Sequence, residues 1–182
     1  MLPSLIGIIA SSGGGVANSY ESIASVNFTS NTAGVTFSSI PSTYQHLQIR
    51  FMVKSQAATN DFSFYLNNVS SGSNYAFHSL SGNGSSASAS AYTSQNYMQL
   101  MNDFASGFPS GSVMSGVIDL LDYKDTNKNR TTRTLLGTDQ NGAGFIKLHS
   151  GLYQSTTAVS QIDFYNGYNW ASGSFALYGI KG

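Results

Sequence analysis

Between Leu47 and Val53 every second residue is large and apolar, while His46, Gln48, Arg50, Met52 and Lys54 fill the alternate positions. A two-residue period places Leu47, Ile49, Phe51 and Val53 on one face of an extended strand, which is the pattern of a half-buried β-strand. The same period runs through Phe62, Phe64 and Leu66, and again through Phe175, Leu177 and Gly179. No window of comparable length sustains a helical period, apart from a weak one over 96–104. Segments rich in β-branched and aromatic residues recur between Gly, Ser and Asn clusters at the spacing of a sandwich or barrel. They run over 20–28, 34–40, 44–54, 61–66, 75–81, 92–101, 113–123, 130–136, 145–153, 159–165 and 174–180, about eleven strands. The chain is therefore expected to be all-β.

What lies between those segments is short of charge. Only 9% of residues are charged, against roughly 25% in an ordinary domain. Solubility rests on hydroxyls and amides. Such side chains lose little rotamer entropy when a neighbour covers them, so the surface suits a protein that is packed against others. Eight basic residues balance eight acidic ones, which leaves no electrostatic footprint for nucleic acid or an anionic membrane. The absence of Cys excludes disulfides, thiolate chemistry and Cys-based zinc sites.

The N-terminus reads as a separate unit. Leu2, Leu5, Ile6, Ile8 and Ile9 form an apolar run followed by Ser11-Ser12-Gly13-Gly14-Gly15, a flexible hinge composition. Residues 1–19 are expected to be an arm and residues 20–182 a single β-sandwich domain. The alternative is that Leu5 to Ala10 is simply the first strand of the sandwich. With no Lys or Arg ahead of it, the run is not expected to be a signal peptide, and it is too short to span a bilayer.

Two stretches read as loops. Ser81 to Ser90 is a low-complexity run of Ser, Gly, Ala and Asn, with Asn83 at its start. Asp122 to Arg130 carries Lys124, Asp125, Lys128 and Arg130 on a turn between two good strands. Both are candidate partner or receptor loops, as is the segment holding Tyr168 and Trp170. With Tyr165, Asn166 and Asn169, those two aromatics could form a saccharide-stacking platform, or a loop packed on the sandwich end.

Catalytic patterns are missing. No Gly-x-Ser-x-Gly elbow occurs, and His46, His78 and His149 stand in no metal-type spacing. Asp119 and Asp122, three residues apart on a strand, point to opposite faces and read as turn-capping groups rather than a hydrolytic pair. Asp125-x-Asn127-x-Asn129 opens like a calcium loop, but Arg130 stands where Gly is needed and Leu136 where the bidentate Glu belongs. The expectation is no enzyme, no cofactor and no metal.

Tyr20-Glu-Ser-Ile-Ala, Val35-Thr-Phe-Ser-Ser-Ile-Pro41, Tyr44-Gln-His-Leu-Gln-Ile-Arg50, Gly116-Val-Ile-Asp119 and Phe175-Ala-Leu-Tyr-Gly-Ile-Lys-Gly182 together resemble small virion structural proteins of aquatic tailed bacteriophages. The resemblance implies a jelly-roll-like antiparallel sandwich, a homotrimer, located on a virion assembled in the bacterial host cytoplasm. It implies a capsid decoration or cement protein that binds the major capsid protein or another virion protein and stabilises coat-subunit contacts. The alternative it implies is a tail-fibre or baseplate protein recognising a host-surface glycan or protein. On the first reading the apolar arm is the tether, adding a strand to a partner sheet edge or filling a groove.

Overall fold

The computed structural model describes residues 19–58, 61–101 and 110–182. Among them it forms eleven strands: β1 (Tyr20–Phe28), β2 (Thr32–Phe37), β3 (His46–Ser55), β4 (Ser63–Leu66), β5 (Tyr75–Gly82), β6 (Ala87–Gln95), β7 (Met98–Gln99), β8 (Val113–Leu121), β9 (Arg130–Asp139), β10 (Gly144–Tyr153) and β11 (Ile162–Ile180). Pairing is antiparallel throughout, and the result is an all-β, jelly-roll-like sandwich.

One strand belongs to both layers. Gly173 to Ile180 of β11 lie between β3 and β1, whereas Ile162 to Tyr165 lie between β2 and β4. Register shifts between Tyr165 and Trp170, and again between Trp170 and Ser172, mark where the strand turns from one layer to the other. The large layer runs β6-β5-β10-β9-β8-β3-β11-β1, and the small one β2-β11-β4-β7. Bulge-like irregularities are how a strand switches sheets at a corner.

The layers meet on aromatic rings. Phe164 and Phe175, from the two halves of β11, have centroids 4.6 Å apart. Phe51 of β3 stacks 5.7 Å from Phe175 and meets Phe62 edge-on at 5.2 Å. Trp170 also meets Phe62 edge-on, at 5.7 Å. Such offset and T-shaped pairs add about 0.5–1.5 kcal/mol each beyond the apolar area they bury. The strand alternation read from the sequence holds here: Leu47, Ile49, Phe51 and Val53 are all buried, as are Phe62, Phe64, Leu66, Phe175 and Leu177. Gly179 shares their face by the same period, and it is Gly because a Cβ there would run into the Tyr44 ring.

Three expectations are corrected. The segments 159–165 and 174–180 are not separate strands: 159–161 form no strand, and 162–165 and 174–180 are parts of β11, since the aromatic run around Trp170 keeps the chain extended through the corner. The stretch 92–101 divides between the end of β6 and the two-residue β7, and residues 96–101 form no helix. The low-complexity run 81–90 is not a loop. Asn83 Oδ1 accepts the backbone N–H groups of Ser85 and Ser86 in a tight turn, and Ala87 onward pairs with β5. Backbone pairing needs no large side chain, so a Ser/Ala run can be a strand at a sheet edge.

Truncating Phe175 to Ala removes the ring that five other aromatics touch. Urea denaturation of F175A should show a stability loss of about 3–5 kcal/mol. A loss under about 1 kcal/mol would mean the interlayer cluster is not the centre of the core.

Candidate interaction face

The residues singled out from sequence do not converge. Leu2, Leu5, Ile6, Ile8 and Ile9 lie outside the described residues. Trp170 is 1% exposed, so it is a core residue rather than part of a stacking platform, although Tyr165 and Tyr168 beside it are exposed. Asn166 explains the local geometry: it is buried, and its Nδ2 donates to Ser55 Oγ at 3.3 Å and to the Tyr168 carbonyl. Arg130 is fully buried as well. Its Nη1 and Nη2 each donate at 2.7 Å, to the carbonyls of Lys128 and Thr156, so its charge holds two loops together rather than facing a partner. Asn83 is occupied as a turn former.

The charged turn is organised around Asp122, which sits at φ 47°, a conformation that Asp tolerates better than most residues. Lys128 Nζ donates to its Oδ2, Gln45 Nε2 donates to its Oδ1 at 2.5 Å, and its own N–H donates to His46 Nδ1 at 3.0 Å. The hydrogen bond from Lys128, then that from Gln45, holds the Asp122 carboxyl below the usual range. Asp125 is lowered in its turn, chiefly by the backbone N–H of Asn127. Lys124 and Asp125 lie half-buried on this tip. Asp122, Asp125 and Lys128 satisfy one another, which is the work of a structural turn. Among the described residues, no group of three His, Cys, Asp or Glu side chains could hold a metal ion.

A different surface stands out. On β5, β10 and β9 the usual alternation is reversed. Ser79, Ser81, Lys147, His149, Thr132 and Thr134 point into the sandwich, each under 9% exposed. Their neighbours Leu80, Ile146, Leu148 and Leu135 point outward at 51–59% exposure. The register aligns these outward residues. Ala89, Leu80, Leu148, Leu135 and Val117 are successive cross-strand partners from β6 to β8. In the adjacent row Gly82, Ile146, Gly137, Ser115 and Met52 follow from β5 to β3. Successive strands lie about 4.8 Å apart, so the first row is a continuous apolar stripe.

The stripe ends on a polar patch. Val117 is paired with Arg50, whose guanidinium carbon lies 5.2 Å from the Tyr178 ring centre and 6.0 Å from that of Tyr20. Arg50 Nε donates to Gln48 Oε1 at 2.9 Å, and Gln48 Nε2 donates to Asp119 Oδ1 at 2.8 Å. Arg133 stands opposite Asp119 on β9. Beside the stripe is a shallow cleft of about 780 Å³, lined by Gly82, Val113, Ser115, Leu135, Gly137 and Ile146 among others. Gly137 in its lining admits no side chain without a shift, since a Cβ there would sit 2.7 Å from the Phe145 carbonyl oxygen.

Sequence reasoning missed this face. Leu80, Leu135, Ile146 and Leu148 were inside the expected strands, but each strand carries apolar residues on both parities. In β10 the aromatics Phe145 and Tyr153 share a side with Lys147 and His149, and in β5 Tyr75 and Phe77 share a side with Ser79 and Ser81. The larger rings went in, and the aliphatic set went out.

No family model matches the chain, and no curated protein matches its sequence. Similar solved structures include the alginate lyase Aly36B, 9% identical, covering 86% of this chain and 78% of that one at a TM-score of 0.39. A variant of it in complex with alginate tetrasaccharide is 10% identical, with 86% and 80% coverage and a TM-score of 0.33. A likeness this distant carries no substrate or activity over to this chain. These are nevertheless structures of an enzyme, which runs against the expected non-enzymatic virion protein. That expectation is set aside in both its capsid-decoration and its tail-fibre form.

Because the folded pKa of Asp122 is depressed, its contribution to stability is present above about pH 4, the unfolded value. It is lost as pH falls through the folded pKa. Asn at position 122 keeps the backbone tolerance but not the charge. Urea midpoints should therefore show wild type above D122N at pH 6, the gap closing as pH drops towards about 2. A gap independent of pH would remove the Lys128 pairing as its cause.

Proposed function

We propose that this chain is a protein-assembly module that packs against further copies of itself through the outer face of its large layer. The observation that carries this is the reversed alternation on β5, β10 and β9, which leaves Leu80, Leu135, Ile146 and Leu148 on the solvent side. Isolated exposed leucines are ordinary, but a register-aligned stripe is a contiguous patch of the kind that marks interaction surfaces. Its composition fits the same reading. Leu80, Leu135, Leu148, Ile146, Val117 and Met52 supply its apolar centre, and Arg50, Gln48 and Asp119 stand at its polar end, the apolar-core and polar-rim arrangement of protein interfaces.

The magnitudes are in proportion. Full burial of a Leu or Ile is worth about 1.5–3 kcal/mol, so covering the exposed half of four of them contributes on the order of 4 kcal/mol gross. That offsets part of the rigid-body entropy of association. A sheet face is also rigid before binding, since each side chain is set by cross-strand neighbours, so little ordering cost is added. Arg50, held between two tyrosine rings and Gln48, is an anchor of the type enriched among interface hot spots.

With no native Cys, a single thiol can report coverage of the face. In L148C, maleimide labelling at tens of micromolar protein should be at least tenfold slower than in S71C, whose site is exposed away from the face. Dilution, or L135E added to L148C, should restore the fast rate. Equal rates for L148C and S71C at high concentration would overturn the proposal.

A further inference from the structure

The large layer ends on β6. Among the described residues this strand pairs only with β5, so one side of its backbone has no strand beside it. Its residues are exposed or half-buried. An open edge presents a row of N–H and C=O groups that can template another strand, and edges are ordinarily guarded by charge, proline or a bulge. The nine residues of β6, Ala87-Ser-Ala-Ser-Ala-Tyr-Thr-Ser-Gln95, contain no charge and no proline. The one irregularity is a register shift beyond Tyr92, where Ser94 takes φ 55°. It confines the regular ladder to Ala87 through Tyr92 and leaves that stretch unguarded.

We infer that β6 pairs antiparallel with β6 of a second copy about a two-fold axis that passes between the two Ala89 residues. An isologous contact requires a surface complementary to itself, and within that ladder the five residues Ala87 to Ala91 are symmetric in sequence about Ala89. Ala87 falls opposite Ala91 of the second copy, Ser88 opposite its Ser90, and Ala89 opposite itself. Pairs directly opposite share a face, so alanines meet alanines on the outer side and serines meet serines on the inner side. Serine pairs of that kind hydrogen-bond across strands, as Ser81 Oγ and Ser88 Oγ already do at 2.9 Å within the chain. No like charges oppose one another anywhere in the contact. The register also joins the Val117-Leu135-Leu148-Leu80-Ala89 rows of the two copies end to end, making one apolar stripe across the dimer.

The edge is distinct from the outer face, and the two contacts are separable by single thiols. Residues opposite in an antiparallel pair have Cα atoms about 4.5–5.5 Å apart, within the range a disulfide spans. Under mild oxidation A89C should form a covalent dimer at least tenfold faster than S71C. A87C and A91C should crosslink slowly alone but rapidly when the two variants are mixed. The side chains at 87, 89 and 91 are small and exposed, so folding is not at risk. An A89C that crosslinks no faster than S71C overturns the edge pairing. So does rapid self-crosslinking of A87C or A91C, which would place the axis elsewhere. Slow labelling of L148C with no crosslinking of A89C defeats the edge and leaves the face standing; the opposite pair of results defeats the face and leaves the edge.

Discussion

The contact between Phe164 and Phe175, two residues of one strand whose rings pack across the interior at 4.6 Å, is the constraint on which the sandwich depends. β11 can bring them together only by leaving the small layer after Tyr165 and entering the large one by Gly173. That turn buries Trp170 and Asn166 at the corner, gives β1 and β3 a strand to pair with, and gives β2 and β4 another. It also fixes the layer separation, and with it which parity of every other strand must carry the large rings.

Parity has consequences at the far side of the large layer. In a two-residue period, moving one ring inward carries every second residue of that strand with it. Tyr75 and Phe77 take Ser79 and Ser81 inside, and Phe145 and Tyr153 take Lys147 and His149. The aliphatic side chains of opposite parity are left on the surface, in register with Leu135 and Val117 of the next strands. The apolar stripe is thus the complement of the aromatic core. The unguarded edge of β6 closes the same layer, and its small side chains keep that edge accessible.

Much of the fold was legible because the signal was strong. Leu47 to Val53 alternate without exception, and so do Phe62, Phe64 and Leu66, and both sets are buried. The run 81–90 misled because it has no large side chain, whereas its strand character comes from pairing with β5. Arg130 misled in the opposite direction, and for Trp170 the packed alternative rather than the stacking platform is the one the structure supports. Charge and aromatic character by themselves suggested exposed recognition, but two carbonyls enclose the guanidinium and Phe62 and Phe175 enclose the indole.

By itself the sequence determined the class of structure, since a sustained period of two with turn residues between is incompatible with helices, and it determined a surface poor in charge. The three-dimensional structure decided which of two apolar faces in β5, β9 and β10 is the core. Local alternation is symmetric under exchange of the two faces, and only the partners a strand meets across the interior break that symmetry. It likewise decided that β11 is one strand in two layers, because the bend is set by what Phe164, Trp170 and Phe175 pack against, and those partners lie more than a hundred residues away at Phe51 and Phe62.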